Sequence, residues 1–169
     1  MPLRSDWSQR TCSMARGLDI LGDPWSVLVL REVFFGNGRF DAMKSRLAVA
    51  DSVLTKRLAG LVEAGLLSKR AYDDGGRARQ EYVLTPMGED ALPVLNAVTI
   101  WAEKHLPAPS DHAHLYVIHS GCGKPTTSAD TCTECGELLT AANTSWHSFT
   151  RTPAPVPLAT AALQNGPAA

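Results

Sequence analysis

The sequence lacks the features that would place it at a membrane or outside the cell. It has no apolar run of about 18 residues, the minimum for a membrane span, and residues 1–10 contain no apolar signal segment. Its formal net charge is −1, so there is no overall basicity of the kind that attracts nucleic acid. These absences predict a cytoplasmic protein without a membrane partner.

Cysteine is scarce, with four residues in a chain of 169. Disulfides are uncommon in the cytoplasm, so these cysteines need another explanation. The composition, 44% hydrophobic and 20% charged, is typical of a globular chain that can bury a core. The length allows one ordinary domain and a small additional module.

The charge is unevenly distributed along the chain. Residues 39–79 contain nine Lys/Arg and five Asp/Glu, whereas residues 106–169 contain two and four. A DNA-binding protein needs a basic face rather than a basic chain, because counterions are released where phosphates touch. The segment 39–79 is therefore the candidate for nucleic-acid contact.

Hydrophobic periodicity predicts helices and a hairpin before residue 107. Asp23 is a predicted N-cap, Thr85 and Pro86 begin the last helix, and Pro93 is expected to kink it. The predicted helices span 12–22, 25–35, 40–47, 51–64 and 86–106, and the strands span 66–72 and 79–84 around a turn at 73–76.

The helix over 51–64 is the predicted recognition helix, because it follows a short helix and precedes the hairpin. Its apolar residues (Leu54, Leu58, Leu61 and Val62) share one face. The opposite face therefore presents Ser52, Val53 and Lys56, with Thr55 and Arg57 on its flanks. A solvated amphipathic helix and an ordinary charged hairpin remain alternatives. The candidate DNA-binding residues are Arg39, Ser52, Thr55, Lys56, Arg57, Arg77 and Arg79.

Five stretches between residues 12 and 105 carry a resemblance to a known family: 12–25, 28–32, 39–40, 53–67 and 81–88. In that order, they resemble the HxlR family of bacterial winged-helix regulators. The resemblance implies a one-component regulator without enzymatic activity, interpreted here as a repressor. It also implies a homodimer formed through the first and last helices, with two recognition helices on a pseudo-palindromic operator. The family usually has serine where this chain has Ala50, so Asp51 or Ser52 is expected to cap the helix.

Two short cysteine motifs follow this region. His119-Ser120-Gly121-Cys122-Gly123 and Cys132-Thr133-Glu134-Cys135-Gly136 both read as a ligand, two residues, a ligand and a glycine. Such paired knuckles form the tetrahedral site of a zinc ribbon, with predicted strands at 115–118 and 137–140. The sequence therefore predicts a structural Zn²⁺ bound by His119, Cys122, Cys132 and Cys135.

Other interpretations of the cysteines fit less well. Disulfides require an oxidising compartment, a rubredoxin-like iron site requires four thiolates, and a catalytic zinc keeps a coordination position open. His112, His114 and His147 are interpreted as surface residues, with His114 the substitute if His119 is not a ligand.

Cys12 has two open interpretations. The resemblance implies a sensor of electrophiles or oxidants, near Arg10 and Arg16; the alternative, which we favour, is a small residue in the dimer interface. A small-molecule effector pocket is also conceivable. Its aromatic lining would come from Trp25, Phe34, Phe35, Trp101 and Tyr116, although such residues usually belong to a core.

The predicted fold class is α+β, mainly α. The predicted organisation is an N-terminal arm (1–11), a winged helix-turn-helix domain for DNA binding and dimerisation (12–106), a linker (107–113), a zinc-ribbon-like module (114–147) and a disordered Pro/Ala-rich tail (148–169). The alternative function is a protein-interaction module in which the ribbon binds a partner. An enzyme is not expected, because no open metal position or base–nucleophile pair is visible.

Overall fold

The computed structural model describes residues 6–110, 114–148 and 152–161. The fold is α+β with helices predominating, as predicted. The chain divides into two compact units. Of the described residues, the N-terminal unit contains those up to Val33 and those from Asn37 to Val83, and the C-terminal unit contains Phe34–Gly36 and those from Leu84 onward.

The N-terminal unit carries four helices and a hairpin, and each lies within two residues of its predicted bounds. They are α1 (Ser13–Leu21), α2 (Pro24–Phe34), α3 (Phe40–Leu47), α4 (Asp51–Glu63), β1 (Leu67–Asp73) and β2 (Ala78–Leu84). The buried apolar side chains of this unit come from α2, α3, α4, the hairpin and the segments that join them: Val29, Leu30, Val33, Met43, Val49, Leu54, Leu58, Leu61, Leu66, Leu67 and Val83.

Short polar side chains fix the turns of this unit. The Asp23 carboxylate accepts the Trp25 amide at 2.9 Å, so Asp23 begins α2 as predicted. In the hairpin turn, the Asp73 carboxylate accepts the Gly76 amide at 2.6 Å. The predicted cap of α4 is wrong, because Ala50 holds the cap position without any side-chain bond and Asp51 instead pairs with Lys44 at 2.7 Å.

Gly38 joins the segment before α3 to the hairpin. The Tyr82 amide donates to the Gly38 carbonyl at 2.8 Å, and Arg39 forms an antiparallel bridge with Glu81. A Cβ on Gly38 would lie 2.2 Å from the Tyr82 carbonyl oxygen, so only glycine permits this approach. These contacts connect β2 of the hairpin to the segment just before α3.

The C-terminal unit combines short helices with a four-stranded antiparallel sheet of order β4-β3-β5-β6. Its elements are α5 (Pro86–Glu89), α6 (Leu92–His105), β3 (Leu115–His119), β4 (Lys124–Pro125), a 3-10 helix (Ala141–Asn143), β5 (Thr144–Ser148) and β6 (Val156–Pro157). Thr85 caps α5 by accepting the Gly88 amide at 3.0 Å. The predicted single helix is divided, and Pro93 lies in the first turn of α6 rather than kinking a helix interior.

The core of this unit is centred on Trp146. Its ring centroid lies 5.6 Å from that of Phe34 and 5.3 Å from that of Phe35. Trp146 is opposite Val117 in the β3–β5 register, and α6 packs on β3. Helix α6 and the cysteine motifs therefore share one compact unit, whereas the predicted organisation separated them at residues 107–113.

Two predictions about the end of the chain are wrong. Residues 137–140 form no strand of the sheet, since Leu138 makes only an isolated bridge with Thr131; the neighbours of β3 are β4 and β5. The predicted disordered tail is ordered over 152–161: it supplies β6, and Leu158 is buried. The Leu158 amide donates to the Thr144 carbonyl at 3.1 Å. The Ala159 amide donates to the Phe34 carbonyl at 2.8 Å.

Parts of the predicted arm, linker and tail, together with His112, lie outside the described residues. Within the described ranges, the helices are too short or too polar to cross a bilayer.

Candidate nucleic-acid interface and metal centre

The candidate nucleic-acid interface is centred on one face of α4. Leu54, Leu58 and Leu61 are buried, as the periodicity predicted. Ser52, Thr55 and Lys56 are exposed near the N-terminal end of the helix. Hydroxyls and a cation at the start of an exposed helix are suited to base edges and phosphates.

The side chains predicted as DNA-binding cations differ in whether they form ion pairs within the chain. Among the described residues, Lys56 and Arg77 have no ion-pair partner, so their charges are available. Arg57 is instead paired with Asp23, at 2.5 Å, and its side chain is only 20% exposed. This pair ties α4 to the start of α2, which favours a structural role for Arg57.

The wing cations are held by neighbouring groups. Arg79 pairs with Asp74 at 3.1 Å and lies 3.5 Å from Asp41. The Arg39 guanidinium lies 4.3 Å from the centre of the Tyr72 ring, a cation–π geometry that leaves its edge exposed. Both side chains are therefore oriented in the free protein, and DNA contact by Arg79 would compete with two carboxylates.

Lys44 and Asp51 link α3 to α4 beside this face. The hydrogen bond from Lys44 to Asp51, with the attraction of that carboxylate, raises the pKa of Lys44 above its ordinary value. Both side chains are largely exposed, so salt screens the pair.

The candidate metal centre brings together the four residues predicted from spacing. The ligand atoms of His119, Cys122, Cys132 and Cys135 all lie within 4.8 Å of one another. The sulfurs of Cys122 and Cys132 are 3.6 Å apart, and Cys135 Sγ is 3.3 Å from His119 Nδ1. A tetrahedral zinc site with ordinary bond lengths has sulfur–sulfur distances of about 3.8 Å and sulfur–nitrogen distances of about 3.6 Å. The donor set and its spacing are thus compatible with a bound metal ion.

Backbone amides donate toward both thiols of the second knuckle, and the net effect on the pKa differs between the two. The Cys135 amide, helped by that of Glu134, lowers the pKa of the Cys132 thiol to about 7. The Glu137 amide also lowers the pKa of Cys135, but desolvation and the neighbouring Cys132 thiol outweigh it, so the pKa of Cys135 is raised. A bound cation would favour the thiolate form of all three cysteines.

The imidazole of His119 is fully buried and closely confined. A Cβ on Gly121 would lie 2.9 Å from the ring carbon Cε1, so this glycine makes room for the ring. His114, the predicted substitute ligand, is instead paired with Glu103 at 2.6 Å.

Comparison with known proteins identifies the family. Residues 20–110 match the family described as HxlR-like helix-turn-helix. An HTH-type transcriptional regulator of Mycobacterium tuberculosis, itself described as uncharacterized, is 35% identical over 131 residues, covering 78% of this chain and 82% of the relative. The chain belongs to the HxlR-like helix-turn-helix family. Its family and fold are those of DNA-binding transcriptional regulators, not of an enzyme.

Two solved structures extend this comparison beyond the helix-turn-helix region. The crystal structure of PA1607, a candidate transcription factor, has a TM-score of 0.65 and 33% identity, covering 80% of this chain and 93% of that one. A second candidate transcription factor, PA1374 from Pseudomonas aeruginosa, has a TM-score of 0.50 and 34% identity, covering 76% and 86%.

Helices α1 and α6, which the resemblance to the HxlR family implies are used for dimerisation, both expose apolar side chains. On α1, Met14 and Leu18 are exposed, and none of its residues is buried. On α6, Val94, Val98 and Trp101 are about half exposed or more. Each helix thus presents apolar area to solvent in the single chain.

The exposed Cys12 occupies the N-cap position of α1. Arg16 was expected to favour the Cys12 thiolate by its charge. Its guanidinium instead donates to the carbonyls of Arg10 and Thr11 at 2.7 and 3.0 Å. Of the residues predicted to line an effector pocket, Phe34 and Phe35 belong to the core around Trp146, as in the alternative interpretation.

Sequence reasoning missed two residues of this HxlR-like chain. Glu137 places a carboxylate oxygen 3.3 Å from His119 Nε2, and Asn96 is a fully buried amide on α6. The position of Glu137 directly after a knuckle glycine was a usable signal. Asn96 had none, because its partners lie 33 and 50 residues away.

Proposed function

We propose that this HxlR-like chain is a homodimeric repressor that binds a pseudo-palindromic operator. Helix α4 enters the major groove, and the wing contacts the flanking backbone or minor groove. The observation that carries this proposal is the exposed polar face of α4, where Ser52, Thr55 and Lys56 lie opposite three buried leucines. Arg77 at the wing tip supplies a second available cation. The cytoplasmic location expected from the sequence stays a prediction.

The homodimer is supported by the apolar side chains that α1 and α6 expose. Burying Val98 and Trp101 against a second copy would remove apolar surface from water, which favours association. A two-fold dimer would present two α4 helices, and it would therefore select DNA with two inverted half-sites.

The metal in this proposal is a structural Zn²⁺. His119, Cys122, Cys132 and Cys135 supply four ligands, which closes the coordination shell and leaves no position for a substrate. When bound, the ion would supply folding free energy by cross-linking β3, the first knuckle and the second knuckle. A chelator titration with detection of released zinc tests this assignment.

Cys12 stays a candidate sensor of electrophiles within this proposal. It is exposed at the start of α1, the helix assigned to dimerisation, so a bulky adduct would act on the dimer interface. Alkylation of Cys12, with a Cys12→Ser variant as control, tests the idea by operator affinity. Unchanged affinity would leave Cys12 as a small interface residue.

The decisive experiment is selection of DNA fragments by the purified full chain, followed by sequencing and binding at several salt concentrations. A recovered inverted repeat, bound with a steep decrease of affinity as salt rises, is the expected result. Absence of any preferred sequence would instead favour the protein-interaction alternative.

A further inference from the structure

Glu137 is in contact with three of the four residues of the metal centre. Its carboxylate oxygen Oε2 lies 3.3 Å from His119 Nε2. Its carbonyl accepts the Cys132 amide at 2.8 Å, and its own amide faces the Cys135 thiol. We propose that Glu137 is a positioning residue for the metal, whose carboxylate accepts the Nε2–H of His119 and directs Nδ1 to the ion.

The two nitrogens of His119 face different partners. Nδ1 lies 3.3 Å from Cys135 Sγ, on the side of the thiols, and Nε2 lies on the side of Glu137. A neutral imidazole carries one N–H, so a metal on Nδ1 requires the proton on Nε2. Nε2 is buried and has no aligned hydrogen-bond partner in the described chain, and the Glu137 oxygen is within reach of a small rotation.

The burial of the two side chains suits this arrangement. The His119 side chain is 2% exposed, whereas that of Glu137 is 63% exposed. The carboxylate therefore keeps most of its hydration while it accepts the bond, and the buried imidazole loses an unsatisfied donor. Gly121 makes room for the ring at Cε1 and Glu137 lies beside Nε2, so that Nδ1 faces the thiols and is available to the ion.

Glu134 supplies a matched comparison within the same knuckle. It is an exposed glutamate three residues earlier, and its carboxylate makes no ion pair with His119. A general effect of negative charge near the metal would be shared by both glutamates. A positioning effect would belong to Glu137 alone.

This proposal rests on the metal site of the proposed function, and the experiment separates the two. Zn²⁺ affinity is measured for the full chain by competition with a chelator, for the wild type, Glu137→Ala, Glu137→Gln and Glu134→Gln. Loss of the outer-shell carboxylate is expected to weaken Zn²⁺ binding about 10- to 100-fold in Glu137→Ala. Glu137→Gln should recover part of that loss, because its amide oxygen still accepts the bond, and Glu134→Gln should match the wild type.

A spectroscopic readout distinguishes positioning from simple loss of fold. Nitrogen-15 NMR of the zinc-loaded wild type should report His119 with its proton on Nε2 and a slowly exchanging N–H. In folded Glu137→Ala, that proton should exchange faster. Equal Zn²⁺ affinities with equal exchange, or a proton on Nδ1, would overturn the proposal. A wild type that binds neither Zn²⁺ nor Co²⁺ would overturn the metal site itself.

Discussion

The indole Nε1 of Trp146 donates a hydrogen bond to Oδ1 of Asn96 at 3.0 Å, and both side chains are fully buried. The Nδ2 of Asn96 donates in turn to the Ala129 carbonyl at 2.9 Å. Ala129 lies in the segment between the two cysteine knuckles. One amide therefore connects α6, β5 and the segment between the knuckles.

Replacing Asn96 is expected to destabilise the C-terminal unit. Asn96→Leu keeps a similar volume but leaves the indole N–H buried without a partner and removes the donor of the partly buried Ala129 carbonyl. A buried unsatisfied group costs about 1–3 kcal/mol and the partly hydrated carbonyl costs less, so the free energy of unfolding should fall by roughly 1–4 kcal/mol. Urea unfolding followed by tryptophan fluorescence measures the change.

A double-mutant cycle with Trp146→Phe isolates the bond from other effects of the substitutions. Trp146→Phe removes the N–H donor but retains an aromatic ring, so the two changes should not add. Additive losses would mean that the Asn96–Trp146 bond contributes nothing to stability.

The helix-turn-helix region was predictable from sequence because its signals are local. The spacing of Leu54, Leu58 and Leu61 defined the buried face of α4, and Asp23 marked the start of α2. The ion pair of Arg57 was not predictable, because Asp23 lies 34 residues earlier and only the folded chain brings them together. The position of Arg57 on α4, beside the exposed polar face, is compatible both with a DNA contact and with an internal ion pair.

The metal centre and its surroundings were predictable to different extents. The knuckle spacing identified all four residues of the candidate metal centre, because two residues between ligands suffice for a tight turn. The second strand and the ordered tail were missed, because β5 and β6 are defined by pairing with distant strands rather than by periodicity. Pro- and Ala-rich sequence is compatible with an edge strand once a partner is present.

Removal of the metal should affect α6 as well as the cysteine motifs, because they share one compact unit. Hydrogen exchange measured by mass spectrometry should show faster exchange over β3, β5 and α6 after chelation. Helix α4 belongs to the N-terminal unit and should keep its protection. Exchange that changes only within 115–148 would contradict the expected link through Asn96.

Lys56 and Arg57 should differ although they are adjacent cations on α4. Lys56→Ala should leave stability unchanged and reduce the slope of log affinity against log salt by about one for each bound copy. Arg57→Ala should lower the free energy of unfolding by about 1 kcal/mol, because it breaks a partly screened pair with Asp23. Anisotropy titrations and urea melts measure the two effects, with Lys124→Ala as a charge-matched control.

Retention of full operator affinity and salt dependence by Lys56→Ala would remove α4 from the reading surface. A loss of DNA binding in Arg57→Ala at unchanged stability would instead return Arg57 to the DNA contacts.

Val98 is the position at which the dimer can be tested most directly. Its side chain is 55% exposed on α6, so Val98→Glu should leave the monomer folded. An unpaired charge in an apolar interface costs about 3 kcal/mol or more, which corresponds to roughly a 100-fold weaker dimer. Sedimentation should then detect monomers, and the palindromic operator should be bound more weakly, because each half-site is bound independently. Ala142→Glu, an exposed change in the same unit, should leave both properties unchanged. A Val98→Glu protein that still sediments as a dimer would mean that α6 lies outside the interface.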